Sequence, residues 1–195
     1  MFIRDKDLFR LMGAAYKGAG LHMANHKGNM AMAGPGWAVE IKGDAVTKEI
    51  KGEILKLTGL LPDRERQYLS TKEGNQEEIQ GTFDLFVYDL IGEGMKEIAD
   101  IQDTRITIRG KFGTYRLYAG NVEEPVILDE LMASLVSDRY ANMHEILRGP
   151  YADRRRVFWH SDEMAMYLMT RDQDEIGERD EESTDLIRQL WAAGI

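Results

Sequence analysis

RRRVFWHSDEMAMYL, Arg154 to Leu168, is the stretch on which the fold turns. Two apolar-rich runs, Val157 to Trp159 and Met164 to Leu168, flank His160-Ser161-Asp162-Glu163, polar residues of the kind that reverse a chain. Folding the segment back on those residues sets Trp159 against Met164, Val157 against Met166 and Arg155 against Leu168, so one side of the ribbon is apolar. Successive strand residues point to opposite faces, so Phe158, Ala165 and Tyr167 share the other side with Arg154 and Arg156. Arginine over Phe or Tyr rings adds about 0.5–1 kcal/mol at an exposed site. The segment therefore reads as a β-hairpin that needs no ligand to make sense.

His160, Ser161 and Asp162 are also the residue types of a hydrolytic triad. Contiguous side chains diverge, whereas a triad needs base and nucleophile within hydrogen-bond reach and a third group orienting the base. His160 and Asp162 could share a face, but two ligands are too few for a metal site without partners from elsewhere. The four residues are read as a turn.

Other hairpins appear outward from this one. TRITIRGKFGTYRLYAG (Thr104–Gly120) alternates, with Ile106 and Ile108 before the Gly110 turn and Tyr115 and Leu117 after it. MAMAGPGWAVEI (Met30–Ile41) reverses at Gly34-Pro35-Gly36, and FDLFVYDL (Phe83–Leu90) has the β-branched and aromatic character of a strand. A short strand is also expected near Gln67 to Ser70. The glycines of IGEGMKEIAD (Ile91–Asp100) are read as a turn, since Glu97 stands where a dinucleotide loop has its third glycine.

Helical spacing recurs between these runs. Leu8, Leu11, Met12 and Ala15 predict a helix over Asp5–Lys17, stopped near Gly18 and Gly20. Val46, Ile50, Ile54 and Leu57 predict a second, capped by Asp44 or Thr47 and ended by Gly59. Pro125 is expected to open a third, VILDELMASLVSDR (Val126–Arg139), with a shorter one over Ala141–Leu147. Regular strand–helix alternation is missing and no fixed-period repeat is found, so the fold class is α+β: an antiparallel sheet of hairpins packed with several amphipathic helices. Residues 1–171 read as one such domain, 172–185 as an acidic connector and 186–195 as a C-terminal amphipathic helix built on Leu186, Ile187, Leu190 and Trp191.

Charge is more telling by place than by size. Of the net −9, the connector DQDEIGERDEESTD (Asp172–Asp185) accounts for −7, with eight acids and Arg179, and the rest is nearly balanced. With no cysteine among 195 residues, thiol catalysis, cysteine zinc sites and iron–sulfur clusters are excluded. Charges at Arg4, Asp5, Lys6 and Asp7 interrupt any signal-like run, and no stretch has membrane-span length, so a cytoplasmic protein is expected.

Candidate chemistry is sparse. His22 and His26, with Glu40, form the strongest metal candidate by type, but the glutamate of a zincin motif is missing between the histidines and the region reads as loop. No phosphate-binding loop, serine elbow or calcium loop occurs, and no cofactor is expected. Arg148 with Arg154, Arg155 and Arg156 is the densest basic cluster, too small beside Glu145 and Asp153 to hold nucleic acid tightly. KGEILKLTGLLP (Lys51–Pro62), followed after a polar insert by TKEGNQEEI (Thr71–Ile79), is similar in character to short accessory proteins of prophages and conjugative elements, over a minor part of the chain and with no diagnostic residue.

The expected function is that of an acidic interaction protein. Its partner would be a protein with a basic nucleic-acid-binding surface, blocked as anti-CRISPR inhibitors block host enzymes, because spaced carboxylates imitate phosphates. The interaction candidates are Arg154, Arg155, Arg156, Phe158 and Tyr167 on the hairpin and Asp172, Asp174, Glu175 and Glu178 on the connector. The alternative is a small enzyme with a diffuse site drawn from His22, His26, Glu40, His144 and His160.

Overall fold

A computed structural model describes residues 1–77, 86–94, 98–110, 112–137, 139, 146–172 and 189. Along them run α1 (Asp5–Lys17), β1 (Leu21–His26), β2 (Asn29–Gly34), β3 (Trp37–Ile41), α2 (Lys48–Thr58), β4 (Arg66–Thr71) and β5 (Gly74–Glu77). There follow α3 (Val87–Gly94), β6 (Ala99–Gly110), β7 (Gly113–Gly120), β8 (Val126–Asp129), α4 (Glu130–Ala133), β9 (Arg148–Ala152), β10 (Arg156–His160) and β11 (Met164–Met169). The strands form one antiparallel sheet in the order β5-β4-β1-β2-β3-β11-β10-β9-β6-β7-β8.

That order holds a repeat of connectivity. In each half a three-stranded meander (β1-β2-β3, then β6-β7-β8) is followed by a helix, after which the chain returns to pair beside the meander's first strand. Thus β4 joins β1 and β9 joins β6, and the halves meet where β3 pairs with β11.

Alternation sorts the side chains. Leu21, Met23, Met30, Met32, Trp37, Val39, Ile41, Val157, Trp159, Met164, Met166 and Leu168 face one core, into which α1 sends Leu8, Met12 and Ala15 and α2 sends Ile50 and Ile54. Tyr118, Val126, Leu128 and Ala133 of the second half belong to the same core. Gly34 lets α1 lie close: a Cβ there would stand 2.6 Å from the Ala15 Cβ and 2.8 Å from Trp37 Nε1. The other face of β1, β2, β3 and β11 is floored by Ala24, Ala31, Ala33, Ala38 and Ala165, small enough for Phe86, Val87 and Ile91 to rest upon.

The helices at α1 and α2 form as their spacing predicts, with Thr47 Oγ1 accepting from Ile50 N–H (3.2 Å) and Gly59 left-handed at φ 76°. The hairpin at β10 and β11 forms with its partners moved by two residues: Trp159 faces Met166 and Val157 faces Leu168. Ser161 accounts for the difference, because its N–H bonds Met164 C=O (2.7 Å) and its Oγ accepts from Glu163 and Met164 N–H, centring the turn on Asp162-Glu163. A two-residue slip keeps every side chain on its expected face.

Three segments differ from expectation. The His22–His26 stretch is strand, not loop. From Val87 the expected strand is helix α3, within which Gly92 lies, because its N-terminus meets a buried carboxylate and its Val87 and Ile91 meet the alanine floor; Phe83–Leu85 lie outside the described residues. The expected long helix after Pro125 begins as β8, paired with β7, and becomes helical only for Glu130–Ala133, where Asp129 Oδ1 accepts from Leu131 and Met132 N–H. The stretch 141–145 is outside the described residues, and Ile146 and Leu147 carry no regular structure.

Candidate functional site

A cleft of about 570 Å³ opens at one end of the second half. Ala99, Val122, Pro125, Val126, Ile127 and Ala152 make its apolar lining, and Glu123, Glu124, Asp172, Arg154 and Arg171 stand around them. All five charged side chains belong to exposed residues.

Local chemistry builds each wall. On the β7–β8 side, Gly120 allows the chain to cross against β6, since a Cβ there would sit 2.2 Å from Asp100 C=O; Asn121 N–H then donates to that same oxygen (3.1 Å) and the Glu123-Glu124 loop is held out over the opening. On the β9–β10 side, Asp153 folds the turn: Oδ1 accepts from Arg155 N–H (2.8 Å) and Arg156 N–H (2.7 Å), and Oδ2 from Arg156 Nε (2.8 Å). This arrangement spends Arg156 on Asp153 and leaves the Arg154 and Arg155 side chains with no ion pair among the described residues. The third wall is the chain leaving β11, pinned by Thr170 N–H to Arg155 C=O (2.8 Å) and Arg171 N–H to Ile127 C=O (2.9 Å).

The sequence candidates fall into separate places. Arg154 and Asp172 meet at this cleft, with Arg155 next to it. Arg156 instead lies over Phe158 and Tyr167, its guanidinium carbon 5.4 and 5.7 Å from the ring centres, as the alternation predicts. Those two rings meet edge-on at 5.9 Å and are buried in the cluster under α3, so they offer no contact surface to a partner. Asp174, Glu175 and Glu178 lie outside the described residues.

The histidine candidates do not converge. His22 and His26 share a face of β1 but stand four extended residues apart, about 13 Å at 3.3 Å per residue. Glu40 is 2 % exposed and already occupied: Oε1 accepts from Asn29 Nδ2 (2.8 Å) and Oε2 from Tyr88 N–H (3.0 Å), which places a carboxylate at the N-terminus of α3. His26 stacks on Phe86 at 4.2 Å between two carboxylates, Nδ1 at 2.9 Å from Glu65 Oε2 and Nε2 at 3.5 Å from Asp89 Oδ2, with Lys27 on Asp89. Glu65 accepts from Lys27 N–H and His26, which holds its carboxyl below the ordinary range. Both imidazole nitrogens thus serve a clamp joining β1, the turn before β4, and α3. His160 lies near Tyr151, Arg148 and Asp162, and His144 is outside the described residues.

Glu123, Glu124 and Arg171 are the cleft residues that sequence reasoning missed. The available signal was an acidic pair beside Pro125 in a loop, but nothing in the sequence brings residue 123 to residue 172. No protein-family model matches the chain, and no match is found among curated proteins or solved structures.

Proposed function

We propose that this chain is a non-catalytic interaction protein whose contact surface is the acidic end at the cleft, and whose partner presents a basic groove of the kind that holds nucleic acid. One observation carries this reading: Glu123, Glu124 and Asp172, distant in sequence and all exposed, border one opening, and Asp172 is the first acid of the run that continues through Asp174, Glu175 and Glu178 to Asp185. The three exposed carboxylates outnumber the two guanidinium groups of Arg154 and Arg171 at the same opening, and a lysine- and arginine-rich surface relieves the repulsion among them on contact. Arg154 at the cleft and Arg155 next to it, with no ion pair among the described residues, would reject partners that are basic everywhere and so set orientation. In this reading the protein acts as an inhibitor by occupancy, as a mobile-element product directed at a host nucleic-acid-binding protein would.

The test is titration of the full chain with a lysine-rich peptide at two salt concentrations. Binding should weaken with salt and should be lost in the Glu123→Lys/Glu124→Lys variant, while the charge-matched Glu49→Lys/Glu73→Lys variant, with exposed acids on α2 and in the β4–β5 turn, should have little effect. Equal losses from both variants would mean that only overall charge matters and would overturn the assignment of the site.

A further inference from the structure

An acidic surface needs no cavity to attract lysine, and this one stands over a cavity. Beneath Glu123, Glu124 and Asp172 the cleft holds about 570 Å³, within the roughly 300–1,000 Å³ of pockets that bury a small ligand and far more than one lysine side chain fills. Val126, Ile127 and Ala152 are buried at its floor, and Ala99, Val122 and Pro125 are half-buried, so their apolar surface is open at the mouth. Of the chain beyond Asp172, where the C-terminal helix is expected, all but Gln189 lies outside the described residues, and the cleft is bounded by residues 99–172 alone.

The walls are fixed by backbone. Asn121 N–H to Asp100 C=O (3.1 Å), Thr170 N–H to Arg155 C=O (2.8 Å) and Arg171 N–H to Ile127 C=O (2.9 Å) tie them to β6, to the β9–β10 turn and to β8. Asp153, which also lines the cleft, is occupied by the N–H groups of Arg155 and Arg156. A site held in this way loses little conformational freedom when it is filled, so contact area made inside it is retained as affinity. The rim selects the sign of what enters: with three carboxylates against the guanidinium groups of Arg154 and Arg171, phosphate is repelled and ammonium is drawn in.

We propose that the cleft takes a leucine-sized apolar side chain of the partner, carried on a short peptide segment whose neighbouring residues are lysine or arginine. The apolar side chain lies against Ala99, Val122 and Pro125, and the flanking cations reach Glu123, Glu124 and Asp172. The inference rests on the acidic end being the contact surface and deepens that reading. Carboxylates attract any basic surface alike, whereas an apolar floor beneath them distinguishes a basic segment interrupted by an apolar residue from one that is basic throughout.

The experiment titrates the full chain with two peptides, Lys-Lys-Gly-Lys-Lys and Lys-Lys-Leu-Lys-Lys, at low and high salt. The leucine peptide should bind about tenfold more tightly, the gain from burying most of one leucine side chain, and added salt should weaken both peptides while leaving their ratio unchanged. Ala99→Phe, which fills the mouth, and Val122→Ser, which removes apolar wall, should each bring that ratio toward one; Leu55→Ser, at a 45 % exposed residue of α2, should not. Equal affinity for the two peptides, or a ratio that survives both cleft variants, overturns the inference and leaves the acidic contact surface standing. Binding of neither peptide overturns that surface as well. A concentration-dependent dimer in light scattering that the leucine peptide dissociates would mean that a second copy occupies the cleft, which also overturns the inference.

Discussion

Trp159 faces Met166 across the hairpin and meets the Tyr118 ring edge-on at 6.4 Å, all within the main core. Trp159→Ala should therefore cost about 3–5 kcal/mol in denaturant unfolding. Asp162→Ala, at the exposed turn and with a 3.7 Å ion pair to Arg148 as its one salt bridge among the described residues, should cost less than about 1 kcal/mol. Comparable effects from the two would contradict the packed hairpin. One residue after Trp159, burial pushes the His160 imidazole below its ordinary range, with Arg148 adding to the shift and Asp162 opposing it. The unfolded chain then takes up the proton more readily than the folded one. Stability from this site is present above the unfolded value, about pH 6.5, and is lost as pH falls through the lower folded value. Melting temperatures between roughly pH 7.5 and 5 should decline less in His160→Gln than in the parent, and parallel curves would show that another group governs the decline.

Among the elements, α3 is one of three whose secondary structure the sequence pattern misjudges, beside β1 and β8. FVYDL satisfies the composition of a strand, but the sheet surface it meets is alanine, and the acceptor it meets is the Glu40 carboxylate, which bonds Tyr88 N–H in the first turn. Glu40→Gln keeps the volume while removing the charge and setting an amide against a donor, so a loss of about 1–3 kcal/mol is expected. Amide exchange should localise the effect, with Val87–Gly94 losing protection before β2 does. Unchanged protection in α3 would mean that the alanine floor and the His26 clamp hold it without Glu40. The same competition explains β8: Val126 to Leu128 have helical spacing, yet β7 offers Leu117 and Tyr118 as partners and Asp129 ends the strand by capping α4.

At the scale of the whole molecule, the two halves repeat one connectivity without repeating one sequence. They are fused by backbone pairing of β3 with β11 and by a core that runs from Leu8 and Met12 through Trp159 to Tyr118 and Leu128. A core shared in this way couples the halves, so thermal unfolding should give one transition, coincident by far- and near-ultraviolet circular dichroism. Two resolved transitions would show that the β3–β11 seam separates independent units. No helix among the described residues is long and apolar enough to cross a membrane.

Local pattern alone determined the parts whose partners lie close in sequence. The stripe of α1, the cap and stop of α2, the Gly34-Pro35-Gly36 reversal, and the faces of the β6–β7 and β10–β11 hairpins follow from spacing and turn chemistry, because each brings together residues a few positions apart. The stacking of Arg156 on Phe158 and Tyr167 was legible for the same reason. Tertiary structure decided what depends on distant partners. Whether Val87 begins a helix was settled by Glu40 and the alanine floor, and the distance between His22 and His26 was set by β1 being extended. The cleft likewise exists only because Gly120 lets one loop cross β6 while Arg171 ties the far end of the chain to Ile127. Periodicity records which side of an element is apolar, and it carries no information about which distant surface that side will meet.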